Sequence, residues 1–264
     1  MYCKIQHLPV DICQPGSHRV SPRSRGIVRK LLLAVGVLAA LHSTLTQTTY
    51  AQTRTRGRYL PLDQTVPPGM AGKWAGAQRG FVPVLQAVRV DAPQGGKVSY
   101  YTSPAAESVE TESSAVVALQ VGSVYRLKIS EMPEYPGVEL FPTVELIDRL
   151  HPPAGRETEF PVPIALTDEE ISLAVSGRLV TKVVYLEQPD RADPIRRTDA
   201  ARSEIAHPRE NLLALADEKG RPMAIVRIGG REPDAGAINS GFYGVGAPVQ
   251  LLKPATRSPK VVNP

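Results

Sequence analysis

The chain has 264 residues, with 31 Lys and Arg against 26 Asp and Glu and only two cysteines. This length allows one or two ordinary domains. Both cysteines, Cys3 and Cys13, lie in the first 51 residues, so a chain that has lost this segment contains no disulfide and depends on a hydrophobic core.

The N-terminal segment has the order of a secretory signal peptide. Arg29 and Lys30 precede the apolar run Leu31 to Leu41, and small and polar residues then lead to Ala51. The apolar run has about 11 residues, fewer than the roughly 20 that span a bilayer as a helix. We therefore predict residues 1–51 to be a signal peptide cleaved after Ala51, with an uncleaved membrane anchor as the alternative. Residues 1–22 are an over-long extension for such a leader, and a translation start near Val28 would explain it.

Removal of this leader changes the charge balance. Six of the 31 basic residues and one of the 26 acidic residues belong to it, so the mature chain is neutral. Binding to nucleic acid requires a clustered basic face on the folded domain. We therefore expect no nucleic-acid partner, and contact with a membrane only if the leader stays uncleaved.

Residues 52–78 are rich in Arg, Gly and Pro and have no period, which predicts a flexible lead-in. Apolar runs separated by turn residues follow it. Residues 81–90 and 97–102 are strand-like and flank a Pro- and Gly-containing turn, which predicts a β-hairpin. Residues 103–114 are small, polar and acidic and predict a loop.

The next stretch alternates apolar and polar residues. It predicts strands over 115–119, 123–129 and 143–148, with Glu145 facing solvent. Residues 160–166 contain Pro161 and Pro163, which favour extended backbone and lack the amide proton of a ladder, so an edge strand is expected there. Residues 132–142 carry too many prolines for regular structure.

The C-terminal half begins with a helix signal. Thr167 and Glu170 have the spacing of a capping box, and Gly177 is suited to end the helix that follows. Strands are predicted over 179–186 and 223–228, separated by a polar excursion over 188–208 and by a helix over 208–219, for which a strand is the alternative. Residues 232–264 turn to Gly, Ala, Pro and Ser and predict a disordered or loosely attached tail.

The folded unit is therefore expected over 79–231, as one domain. About seven short strands with one or two short helices indicate a mainly β, β-sandwich-like (Ig-like) domain. The alternative is an α+β fold with the helices on one face of a sheet.

Residues suited to catalysis are sparse. The mature chain has two histidines, His151 and His207, each close to proline, and lacks the metal-binding or nucleophile motifs of common hydrolases. Residues 131–170 hold ten acids against two arginines, which is typical of a solvated acidic face, with a Ca²⁺ site as the alternative. No other cofactor is expected. The acidic candidates for such a metal site are Glu139, Glu145, Asp148, Glu157 and Glu159.

The order of five segments resembles the order found in a group of exported bacterial proteins with a β-rich domain and no known activity. The segments are VYRLKISEMP, FPTVELIDRL, FPVPIALTDEEISLAVSG, VTKVVYLEQP and GRPMAIVRIGGR. The resemblance covers 79–231, implies export, and carries over no functional residues.

Two classes of function stay open at this point. The first is an exported, non-catalytic module of the cell envelope or exterior, with an adhesive, scaffolding or binding role and a protein or envelope polymer as its partner. The second is a carboxylate-dependent hydrolase of extracellular carbohydrate. Two of the acidic candidates converging in a cleft would favour the enzyme.

Overall fold

A computed structural model describes residues 58–59, 62–80, 83–93, 95–104, 106–188, 203–234 and 240–253, together with the backbone of 2–8. All of them belong to one compact unit, which comprises 1–10 and 57–264. Within these ranges no helix is long and apolar enough to cross a membrane. The predicted leader run Leu31 to Leu41 and its cleavage site lie outside the described residues, as do 52–57 and 60–61 of the predicted lead-in and 189–202 of the polar excursion.

Twelve strands are present in the described part of the chain. They are β1 (Tyr2–Leu8), β2 (Leu85–Asp91), β3 (Lys97–Tyr101), β4 (Ser108–Glu112), β5 (Val116–Gln120), β6 (Val124–Ser130), β7 (Thr143–Leu146), β8 (Val162–Ala165), β9 (Val180–Glu187), β10 (Ser203–Ile205), β11 (Gly220–Ile228) and β12 (Val249–Leu251). Eight form one sheet, in the order β10-β1-β9-β11-β7-β6-β3-β4. The other four form a second sheet, in the order β12-β5-β2-β8.

Helices are few and short in the same ranges. They are α1 (Met70–Arg79), α2 (Asp168–Val175), α3 (Leu212–Lys219) and α4 (Ser240–Tyr243), with a 3₁₀ turn at Glu157–Glu159. The mainly β, sandwich-like fold class predicted from the sequence is confirmed.

The two sheets enclose the larger of the buried apolar clusters. Val88 and Val117 of the small sheet belong to it with Leu127, Val144 and Val226 of the large sheet, and each of these side chains is at most 1% exposed. Alternation along β6 produces this arrangement, because Tyr125, Leu127 and Ile129 point inward while the residues between them do not.

A second apolar cluster covers the outer face of the large sheet. Ala71 and Ala75 of α1 belong to it with Leu212 of α3, Val183 of β9 and Ile225 of β11. The central strands of the large sheet are therefore buried on both faces, and all four residues of β7 are buried. For this reason the prediction of a solvent-facing Glu145 is wrong: its exposure is 0%.

The predicted hairpin between 81–90 and 97–102 is also wrong, although both strands exist. Strand β2 pairs with β5 and β8 in the small sheet, whereas β3 pairs with β4 and β6 in the large sheet. The Pro- and Gly-containing turn carries the chain from one sheet to the other. The predicted loop over 103–114 contains β4, which forms the hairpin with β3.

Local signals in the C-terminal half are confirmed. The side chains of Thr167 and Glu170 make both hydrogen bonds of a capping box, and Gly177 has a φ of 81°. The predicted helix over 208–219 is α3, capped by the side chain of Asn211. Strand β8 lies at the edge of its sheet, as the prolines indicate.

Besides β4 and the 3₁₀ turn, the elements that were not predicted are β1, β10, α1, which lies in the predicted flexible lead-in, and the C-terminal segment from α4 to β12, which lies in the predicted tail. We call residues 240–251 the C-terminal strap. Its Phe242 packs edge-on against Phe141 at 5.3 Å, and its β12 extends the small sheet through β5. Between them, the carbonyl of Pro248 accepts a hydrogen bond from the Tyr125 hydroxyl at 2.8 Å.

Candidate functional site

A cleft of about 410 Å³ lies between α1, the turn from β5 to β6, and the segment that follows β7. The residues that line it are Arg58, Gly72, Gly76, Gly80, Val84, Val121, Gly122, Ile147, Asp148, Arg149, His151 and Arg221. A second cleft of about 320 Å³ adjoins it and shares Val84, Arg149 and His151. We call the two together the groove.

One wall of the larger cleft is helix backbone. Gly72, Gly76 and Gly80 recur every fourth residue; the first two lie along one side of α1, and Gly80 follows its last residue. A Cβ at Gly72 would approach the Cα and the carbonyl oxygen of Gly122 to 3.1 Å, closer than such atoms normally come. Glycine at position 72 therefore allows α1 to pack against the β5–β6 turn.

Arg58 is fixed at one side of the cleft. Its Nε donates to Oδ1 of Asp217 at 2.6 Å, and its backbone amide donates to Oδ2 at 2.7 Å. Its carbonyl accepts hydrogen bonds from the Trp74 indole and from the Gln78 amide, both at 2.8 Å. The guanidinium is thus held by the domain while 44% of the side chain stays exposed.

Arg149 and Arg221 both lie close to Asp148, Arg149 through its backbone amide and Arg221 through its guanidinium. Asp148 accepts a hydrogen bond from the amide of Arg149 at 2.7 Å, and its Oδ2 is 3.6 Å from Nε of Arg221. That separation is too long for a good hydrogen bond, and Nε of Arg221 is buried without one. Arg221 also donates to the carbonyl of Arg149 at 3.1 Å.

The cleft has an excess of positive charge. Three guanidinium groups line it against one carboxylate, that of Asp148, and Asp217 compensates Arg58 from outside the lining. Among the described residues, the exposed side chain of Arg149 makes no hydrogen bond or ion pair. Arginine offers planar, permanently charged donors that match the geometry of carboxylates and phosphates, so the arrangement can bind an anion.

The structure places two of the acidic candidates, Glu145 and Asp148, in buried positions. Glu145 lies behind α1 and accepts hydrogen bonds from the Gly72 amide at 2.8 Å and from Arg227 at 3.2 Å. Asp148 is 4% exposed and lies in the cleft with Arg221. Both carboxylates therefore have cationic partners.

The other three candidates lie on the surface. Glu139 forms an ion pair with Lys128 at 3.0 Å, and Glu159 forms one with Arg156 at 2.5 Å. Glu157 accepts a hydrogen bond from the Gly155 amide and lines the second cleft. In the described ranges, no three His, Cys, Asp or Glu side chains come close enough to share a metal ion.

The arginines of the cleft were not identified from the sequence. Arg58 falls in the predicted lead-in, and Arg149 was noted only as one of two bases in an acidic stretch. The glycine repeat at 72, 76 and 80 is a signal that could have indicated the cleft, because small residues at every fourth position give a helix one smooth side. Comparison with known proteins adds no relative: no family model, curated protein or solved structure matches the chain.

Proposed function

We propose that this chain is an exported, non-catalytic binding module of the cell envelope or exterior, and that a protein or polymer partner docks in the groove. The observation that carries the proposal is the set of three arginines in one cleft, two of which are fixed by other parts of the domain. A fixed charged group loses little conformational freedom when a ligand arrives, which favours binding.

The chemistry of the groove favours binding over turnover. Guanidinium groups stay protonated in proteins and so do not serve as acid or base. Of the lining carboxylates, Asp148 already accepts the Arg149 amide and faces Arg221, and Glu157 lies in the adjoining cleft.

A glycoside hydrolase needs two carboxyl groups facing the same bond. Glu139 and Glu159 instead form surface ion pairs, and Glu145 is enclosed. No arrangement of these five acids favours the alternative of a carboxylate-dependent hydrolase.

Site-specific cross-linking in the native host tests the proposal. A photo-reactive amino acid in place of His151, an exposed residue that lines both clefts, would be compared with the same substitution at exposed Arg209. We expect a discrete adduct in the envelope or external fraction from position 151 and none from position 209. Equal labelling from both positions, or none from either, would count against the groove as a binding site.

A further inference from the structure

We propose that the groove binds a polypeptide segment that carries carboxylate side chains, with Arg149 and Arg221 taking a carboxylate at one end. This inference rests on the proposed binding function and adds the chemical class of the ligand to it.

Arg149 is the residue best placed to engage an incoming acid. Its backbone is held on both sides, because its amide donates to Asp148 at 2.7 Å and its carbonyl accepts from Arg221 at 3.1 Å. Its side chain is exposed and makes no hydrogen bond or ion pair within the described part of the chain. A guanidinium on a fixed backbone can bind a carboxylate through two parallel hydrogen bonds.

Arg221 supplies the second positive charge. Its nearest carboxylate, Asp148, is 3.6 Å from Nε and at the same time accepts the Arg149 amide. Asp148 is the one carboxylate among the described residues that line the larger cleft, against the guanidinium groups of Arg58, Arg149 and Arg221. A ligand carboxylate would restore the balance, and an uncompensated positive cleft attracts anions over a distance.

The adjoining cleft indicates a polypeptide ligand. Its lining includes the apolar side chains Val84, Leu85, Leu150 and Pro152, of which Leu85 is 45% exposed. The described residues that line the two clefts include no Trp, Tyr or Phe, the side chains on which sugar rings most often stack. An apolar surface beside fixed charges suits a peptide with both acidic and aliphatic side chains.

The positions of the charged residues also predict the orientation of the bound segment along the groove. Arg221 lines only the larger cleft, Arg149 lines both, and Glu157 lines only the smaller one. The segment is therefore expected to place its acid in the larger cleft and aliphatic residues over Leu85. A basic or neutral residue would lie near Glu157.

The single tryptophan provides the readout. Trp74 is 38% exposed, and its indole donates to the carbonyl of Arg58, which lines the cleft. The full chain would be titrated with a short synthetic peptide that has glutamates at one end, valine and leucine in the middle and lysine at the other end. Trp74 fluorescence would report binding, with a peptide that has glutamine in place of glutamate as the comparison.

We expect saturable binding of the glutamate peptide, weakened at least about tenfold by Arg149→Gln or by the glutamine peptide, since a hydrogen bond to a charged group contributes this much. Arg178→Gln is the matched control, an exposed arginine outside the groove, and should bind as the unmodified chain does. Circular dichroism would show that both variants are folded.

Equal affinity of Arg149→Gln and the unmodified chain would overturn the inference, and so would equal binding of the two peptides. Binding of an anionic polysaccharide or of inorganic phosphate in place of the peptide would overturn the polypeptide class. If the peptide fails while the cross-linking at position 151 succeeds, the binding function stands and only this inference falls.

Discussion

Glu145 of β7 accepts a hydrogen bond from the backbone amide of Gly72 at 2.8 Å, so a fully buried carboxylate of the sheet caps the first turn of α1. The residue at the N-cap, Gly69, has no side chain to do so. The same carboxylate is 3.2 Å from Arg227, whose other terminal nitrogen donates to the carbonyl of Val66. The wall of the groove is thereby attached to the center of the large sheet.

Replacement of Glu145 should destabilise the domain according to what the new side chain retains. Glu145→Ala removes both the acceptor of the Gly72 amide and the partner of a largely buried arginine, which costs about 3–5 kcal/mol in the free energy of unfolding. Glu145→Gln keeps an oxygen for the amide and should cost less. Urea unfolding measures both, and equal losses would show that the retained oxygen does not matter.

A buried ion pair joins α2 to β9. Lys182 and Glu170 are 1% and 0% exposed and lie 2.9 Å apart. We expect Lys182→Met to lower the free energy of unfolding by about 3–5 kcal/mol, because it leaves a buried carboxylate without its cation.

Adding Glu170→Gln to Lys182→Met should restore part of that loss. Glutamine carries no charge and still offers an oxygen to the amide of Thr167. A double-mutant cycle by chemical denaturation measures the coupling, and a purely additive cycle would contradict the expectation.

Loss of the capping box of α2 should lower the free energy of unfolding by a smaller amount. Thr167→Ala removes the hydroxyl that accepts from the Glu170 amide at 3.3 Å, and it should cost about 1 kcal/mol of stability. Thr167→Ser keeps the hydroxyl and should be nearly neutral. Thermal or urea unfolding of both variants measures their stability. A Thr167→Ser variant as unstable as Thr167→Ala would show that the threonine methyl group, not the capping hydroxyl, stabilises the helix.

The C-terminal strap can be released by one methyl group. Gly246 has a φ of 76°, and a Cβ there would overlap the carbonyl oxygen of Thr102. Gly246→Ala should therefore detach the strap and speed hydrogen exchange in β12 and in the part of β5 that pairs with it, while the large sheet stays protected. Gly244→Ala is the matched control, because its φ of 81° is similar and no heavy atom lies within 4 Å of its Cβ. Equal exchange in the two variants would contradict the contact with Thr102.

Stability should fall at alkaline pH. Burial raises the pKa of Tyr125 to about 12 and, with the nearby Tyr243 and Glu139, that of Tyr101 to about 12, against an ordinary value of 10.0. The folded chain then binds more protons than the unfolded chain between these pH values, so the free energy of unfolding decreases as pH rises from about 10 to about 12.

Urea unfolding at neutral pH and at about pH 11 measures this decrease, and Tyr125→Phe should reduce it. The chain has nine tyrosines, so the tyrosinate absorbance of the folded chain is compared with that of Tyr125→Phe and of Tyr101→Phe, and each difference gives the titration of one ring. Ordinary titration of both rings near pH 10 would contradict the prediction.

Features encoded within a few residues could be predicted from the sequence. Three such signals involve only neighbouring residues, and the structure confirms each of them. They are the capping box at Thr167, the alternation in β6 and the prolines at 161 and 163. The fold class follows from the same signals, because repeated short alternating strands need a second sheet to bury their apolar sides.

Features that depend on distant segments could not be predicted. Arg58 meets Asp217 across 159 residues of sequence, and the alternation that made Glu145 a solvent-facing residue gave no sign that α1 would cover it. The turn between β2 and β3 has the composition of a hairpin turn, and only the pairing of each strand with other partners sends them to different sheets.

Strand β1 covers one edge of β9 in the large sheet and lies within the predicted leader. Its seven residues pair in parallel with β9, from Tyr2 beside Val180 to Leu8 beside Leu186, and it separates β9 from β10. A chain cut after Ala51 no longer carries these residues. In that chain the backbone amides and carbonyls of β9 on this side would face solvent or another strand, and open edges of this kind invite pairing with other chains. In a chain without the predicted leader, the edge of β9 would therefore be open to pairing with a strand of another chain.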